Sequence, residues 1–285
     1  MDIILLPIFL FILGTIIGSF LNVVILRYEP GRPFMGAQLF GHSHCPKCGR
    51  ALQWYELIPV VSYLIQLGRC RGCGKPISFQ YPTVEILGGI IVASFPFFGL
   101  ATLPSVLWIS AILILLTVSF IDLRHLVIPD GANILLLIIG VALTVIDYLG
   151  ISGSFSVIKG SFLGGYAYIF SFTENVLIAH IAAAILLGAI FSLIIILTKG
   201  KAMGWGDAKL AAIIGLMLGW PDAILALMIA FIVGAAAGIS LMATGVKKMK
   251  DALPFGPFIS VGVVTVIFFG YEIMSAYFKF LNLLA

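Results

Sequence analysis

Charge is scarce in this chain. Of 285 residues, 16 are Lys or Arg and 12 are Asp or Glu, against 61% hydrophobic residues and a mean hydropathy of +1.19. A soluble domain of this length needs a polar shell that 10% charged residues cannot supply. Cysteine is equally rare, with four residues confined to positions 45–73, so no disulfide framework ties the rest of the chain. A secretory signal is also missing. Asp2 stands where a basic n-region belongs, no small-residue cleavage site follows the first apolar run, and Arg27 and Arg32 come after it. No G-x-G-x-x-G follows a strand-like run, so no Rossmann fingerprint supports a cofactor site.

Long apolar runs are what the chain has in place of these. Eight read as spans: Ile3–Leu26, Val84–Leu100, Leu103–Ile121, Gly131–Leu149, Leu177–Thr198, Ala208–Leu218, Ala223–Thr244 and Phe255–Phe278. The expected fold is an all-α polytopic membrane protein of about eight transmembrane helices, with a small zinc-bound cytoplasmic domain between the first and second. The sixth run is too short to cross straight unless Lys209 snorkels and Gly219-Trp220 continues it. The stretch 150–176, rich in Gly, Ser and aromatics, reads as an interfacial or re-entrant segment on the outer face. No internal repeat is evident.

Orientation follows from Lys and Arg. Segment 27–78 carries seven, and with segments 122–130, 199–209 and 246–254 these alternate regions hold 14 of the 16, leaving Lys159 and Lys279 for the other side. The positive-inside rule then puts residues 27–82 in the cytoplasm and both termini outside. It also explains the basic residues without a nucleic acid, and none is expected as a partner.

The four cysteines form Cys45-Pro46-Lys47-Cys48 and Cys70-Arg71-Gly72-Cys73, each followed by a glycine. Two C-x-x-C knuckles at this spacing fit a tetrahedral zinc site of four thiolates. Two disulfides or four free thiols are the alternatives, and a cytoplasmic compartment argues against disulfides. Four thiolates leave no open position, so the zinc is expected to be structural. His42 and His44 stand beside the first knuckle as reserve ligands or solvated loop residues.

Acids at span ends carry the candidate chemistry, because a carboxylate at the mouth of a membrane segment is costly. Asp207 follows Gly204-Trp205-Gly206 at a helix start, where helix capping competes with catalysis. Asp122 ends the third run, with Arg124 and His125 as local partners, and Asp130 in Ile128-Pro129-Asp130 is its rival; position alone does not separate them. Two carboxyls together can share a proton and activate a water against a peptide bond. Glu85 lies deep enough to face a cavity or pair with a basic residue of segment 27–82. Asn22 needs a buried partner, and Gly18-Ser19 predicts close helix packing. His180 reads as a packed or interfacial histidine, and Asp147, Glu174, Asp222 and Glu272 as solvated or capping.

Taken in order, six segments resemble the type IV prepilin peptidases, or prepilin leader peptidase/N-methyltransferases, a GxGD-type aspartic membrane protease family. They are Gly18-Ser19-Phe20-Leu21-Asn22-Val23-Val24, the two knuckles, Ile77 to Glu85, Asp122 to Asp130, Met203-Gly204-Trp205-Gly206-Asp207-Ala208-Lys209-Leu210 and Leu253-Pro254-Phe255-Gly256-Pro257-Phe258. The resemblance implies Asp122 and Asp207 as the catalytic pair, Cys45, Cys48, Cys70 and Cys73 as zinc ligands, and prepilins or pseudopilins as substrates. It implies leader cleavage at the cytoplasmic face of a bacterial inner membrane, then N-methylation with S-adenosylmethionine. Segment 1–26 is then the first membrane helix, 27–82 the zinc-binding methyltransferase part and 83–285 the embedded peptidase. A peptidase without methyltransferase activity, and a transporter with a regulatory zinc module, are the competing functions. The transporter would need polar residues along a mid-membrane path, whereas nearly all acids here sit at span ends.

Overall fold

The computed structural model describes residues 2–36, 39, 41–98, 102–150, 161–248 and 251–281. Lys159, Lys250 and Leu100, used in the charge count and in the second run, lie outside these residues, as does 151–160 of the outer stretch. The chain divides into two compact units, Met1–Thr117 and Val118–Ala285.

The first unit begins with α1 (Asp2–Arg27). A 3-10 turn over Trp54–Leu57 and the short α2 (Val61–Ile65) follow, then α3 (Gln80–Ala93), a 3-10 turn over Phe95–Phe98, and most of α4 (Leu103–His125). Helices α1 and α3 pack along their length because small residues let their backbones meet. A Cβ on Gly14 would fall 2.4 Å from the Gly88 carbonyl oxygen, and one on Gly18 would fall 2.7 Å from the Glu85 Cα. In lipid, where apolar burial gives little net drive, such close approach is what holds two helices together. Asn22 finds its partner there, its Nδ2 donating to the Tyr81 carbonyl at 3.0 Å.

The second unit holds the last turns of α4, then α5 (Asp130–Tyr148), the short α6 (Ala167–Phe170), α7 (Val176–Leu197), α8 (Trp205–Leu218), α9 (Asp222–Ala243) and α10 (Gly256–Phe280). Pro129 occupies the cap position of α5, and the Asn175 side chain caps α7 by accepting the Ile178 amide. Six described helices, α1, α4, α5, α7, α9 and α10, are long and apolar enough to cross a membrane. The second and sixth expected spans are present as α3 and α8, each of 14 residues. At about 1.5 Å per residue such a helix reaches roughly 21 Å, short of a ~30 Å hydrocarbon core. Helix α8 is also closely packed, with Leu210, Ala211 and Ile214 fully buried, and Gly219 at φ +70 ends it.

On the sequence, Asp222 reads as solvated or capping; the structure buries it completely. Its carboxylate accepts the Ser161 hydroxyl at 2.7 Å and the Leu163 amide at 3.0 Å, pinning the chain that leads into α6. His180 is buried as expected, with Nδ1 2.7 Å from the Leu216 carbonyl oxygen.

Candidate functional site

Two constellations stand out, one in each unit. In the first, the two knuckles, alike in their C-x-x-C-Gly sequences, are backbone copies of one another. The Cys45 amide donates to Arg50 O and the Gly49 amide to Cys45 O; the Cys70 amide donates to Lys75 O and the Gly74 amide to Cys70 O. Isolated bridges His44–Ala51 and Arg69–Pro76 close the two loops. Gly49 and Gly74 sit at φ +72 and +66, which a side chain would strain. The folded loops bring Cys45, Cys48, Cys70 and Cys73 together with all four sulfurs within 4.8 Å of one another, positioned to hold a metal ion. Sulfurs about 2.3 Å from a tetrahedral zinc stand roughly 3.8 Å apart, so the spacing fits. The amides of Cys73 and Gly72 draw the Cys70 thiol down to about 6, while Cys48, despite the Arg50 amide, is pushed up to about 11 by burial and the neighbouring thiols, so one thiolate of the cluster is favoured over the others. The exposed His42 and His44 are not part of the group.

Beside the knuckles Arg50 pairs with the buried Glu56, whose other oxygen accepts the Gln53 amide at 2.9 Å. That amide, together with Arg50, holds the Glu56 carboxyl below the usual carboxylate range. Arg71 lies over the Tyr55 ring at 5.2 Å. Glu85, expected to face a cavity or a basic residue, accepts the Val60 amide at 2.8 Å and bonds Ser19. Val60 adopts φ +60, and the carboxylate secures the amide that this turn would otherwise strand. An open groove of about 510 Å³ runs between Ile16, Ser19, Phe20 and Val23 of α1 and Trp54, Leu57, Ile58 and Pro59, and its lining carries no charge.

The second constellation gathers the carboxylates. Asp122 closes α4 at 4% exposure, and its Oδ2 accepts the Gly256 amide at 2.9 Å. That amide is one of the free N–H groups at the start of α10, so the helix's positive end faces the carboxylate. A Cβ on Gly256 would fall 2.9 Å from the same oxygen. Neither Arg124 nor His125 forms an ion pair with Asp122 among the described residues. Asp207 lies three residues past the cap position of α8, which Gly204 occupies, and its Oδ2 accepts the Gly204 amide at 3.0 Å. It therefore closes half of a capping box. Gly206 rests on Ile128, where a Cβ would meet the Ile128 Cβ at 3.1 Å. Asp122 and Asp207 are near enough for their charges to interact. No protein group donates to Oδ1 of either carboxylate among the described residues.

Asp130 differs from both. It is exposed and ion-paired with Lys209 at 2.6 Å, rather than capping α5 through its side chain. The third and sixth expected spans, α4 and α8, are not simply packed on each other. Helix α8 packs chiefly on α5 and α7, while α4 is tied to α10 through Gly256 and through the Ser119–Ser260 hydrogen bond of 2.9 Å. The role of α10 is the feature that sequence reasoning missed, although Leu253 to Phe258 already belonged to the resemblance.

Comparison with known proteins finds two family matches along the chain. Residues 12–97 match the bacterial peptidase A24 N-terminal domain, and residues 108–239 match the type IV leader peptidase family. A prepilin leader peptidase/N-methyltransferase of Xanthomonas campestris is 32% identical over 95% of this chain and 94% of its own length. Proteins of the same name from Bacillus subtilis (31%, 95% and 97%) and Myxococcus xanthus (34%, 84% and 64%) are similar as well. No solved structure matches.

Proposed function

The chain belongs to the prepilin leader peptidase/N-methyltransferase family, multi-pass membrane enzymes that cleave and N-methylate prepilins, and we propose that Asp122 and Asp207 form its peptidase dyad. The observation that carries this reading is the contrast among three acids. Asp122 and Asp207 each take one glycine amide on Oδ2 and keep Oδ1 without a protein donor, whereas Asp130 is exposed and neutralised by Lys209. Two carboxyls so held can share a proton, one activating a water while the other protonates the scissile carbonyl. The dyad lies at span ends, where a prepilin's leader joins its apolar helix and water is at hand. By the count of basic residues, with α3 and α8 taken as crossings, this is the cytoplasmic face of a bacterial inner membrane, with both termini outside.

The four cysteines suit a structural zinc: thiolates only, no open position, and two loops that have no other core. Segment 27–82, which bears them, is the methyltransferase part, and 83–285 the peptidase. S-adenosylmethionine supplies the methyl group when bound. The groove beside Trp54 offers no charged partner for its carboxylate and ammonium groups, so no step of methyl transfer is assigned to residues here.

Cleavage of a purified prepilin tests the dyad. Asp122→Asn and Asp207→Asn should each abolish it while the protein still inserts, and Asp130→Asn should retain substantial activity. Robust cleavage by either of the first two would remove the assignment.

A further inference from the structure

From Leu57 to Gly68 no residue is charged, and the side chains that face outward around this stretch are large and apolar. Trp54, Val61, Leu64, Ile65 and Leu67 are 49% to 85% exposed. Single apolar residues on a surface are ordinary, but an unbroken stretch of them marks a face that meets something other than water.

The depth of the stretch says what it meets. Its central turn is fastened to α1 and α3. The Val60 amide donates to Glu85 Oε2 at 2.8 Å, the same carboxylate accepts the Ser19 hydroxyl, and Gly18 lies against the Glu85 backbone. Ser19 stands eight residues before Arg27, where α1 ends, about 12 Å back along the helix axis. The groove gives a second marker. It sets Trp54, Leu57, Ile58 and Pro59 against Ile16, Phe20 and Val23, which lie about 6 to 16 Å from the same end. Helix α1 has 26 residues, about 39 Å of length against a ~30 Å hydrocarbon core, so a centred core begins only about 5 Å inside Arg27. Both markers fall deeper than that. Ile16 and Phe20 belong to the exposed, apolar stripe of α1, and the groove carries that stripe across onto Trp54 and Leu57. The turn is also built for such a place. A backbone N–H in hydrocarbon has no water to bond; Pro59 has none to strand, and that of Val60 is met by the buried Glu85 carboxylate.

We propose that residues 54–67 are seated in the bilayer, in the leaflet at the Arg27 end of α1, with Trp54 and the outer face of α2 against lipid. The partner of this face is a lipid surface, and the knuckle at Cys70, three residues after Leu67, is held at headgroup level.

A carbene-generating phospholipid, photolysed in vesicles that hold the full-length wild-type protein, tests this by peptide mapping. Adducts are expected on 54–67 at a density like that on the exposed stripe of α1, and few on 43–52 around the first knuckle. Adducts on α1 with none on 54–67 would overturn the proposal. A second measurement leaves Trp54 as the single tryptophan, through Trp108→Phe, Trp205→Phe and Trp220→Phe, in phosphatidylcholine vesicles with brominated acyl chains. Shallow bromines should remove most of the Trp54 emission and deep ones less, as for a side chain about 5–10 Å into the headgroup–acyl boundary. Aqueous iodide should leave it nearly unchanged. Quenching by iodide and not by bromine would put the face in water. Shielding from both would mean that protein covers it, either a second copy of this chain or a substrate helix. Each of these two results overturns the proposal.

Discussion

The metal-type site and the carboxylate site are built in opposite ways. Each half of the cysteine cluster is made locally: one knuckle, one glycine at positive φ, one amide-to-carbonyl closure, repeated. Only the meeting of the two loops is tertiary. The carboxylate site has no local half. Asp122 depends on an amide more than a hundred residues later in the chain, and Gly206 depends on the backbone before α5. A locally built site tolerates change elsewhere and fails through its own ligands. One assembled from distant helices fails through any contact that sets their spacing.

Breaking the local site should give the largest effect. Cys70→Ser combined with Cys73→Ser leaves two thiols, so metal analysis should find one zinc per chain in the purified wild type and none in the variant. Metal binding and folding of such loops are coupled, so N-methylation should collapse while leader cleavage persists. Equal loss of both activities would show that the cysteine region serves the whole enzyme.

The distributed site can be disturbed without touching either acid. Gly256→Ala places a methyl group 2.9 Å from Asp122 Oδ2, so the amide contact must open. Cleavage should drop by about 10- to 100-fold, in keeping with the cost of displacing a hydrogen bond to a charged group. Methylation of a pre-cleaved peptide is the control. Near-normal cleavage would mean that α10 does not position the carboxylate.

The smallest effect concerns the support behind the knuckles. Glu56→Gln should destabilise the cysteine region by about 1–3 kcal/mol through the loss of charge on a buried partner of Arg50. The pH sign is set by the depressed carboxyl. Its contribution is complete above the unfolded carboxylate pKa of about 4.3 and is lost as pH falls through the lower folded value. Thermal melts should therefore separate wild type from Glu56→Gln by a constant margin from neutral pH down to about pH 5, a margin that shrinks as pH falls further and closes below the folded value.

The sequence by itself determined what local composition and spacing can carry. Apolar runs of span length, the four metal-type ligands and the family all follow from the order of residues, because lipid and thiolate geometry constrain short stretches directly. It also put Asp122, Asp130 and Asp207 on the list of candidate acids. Separating Asp122 from Asp130 by their surroundings required the tertiary structure: burial, the Gly256 amide and the Lys209 pair arise only when α4, α5, α8 and α10 are in place. The same holds for α3 and α8, apolar enough to read as spans yet too short to cross straight. Hydropathy reports that a segment avoids water; whether it meets lipid or neighbouring helices is decided by what packs around it.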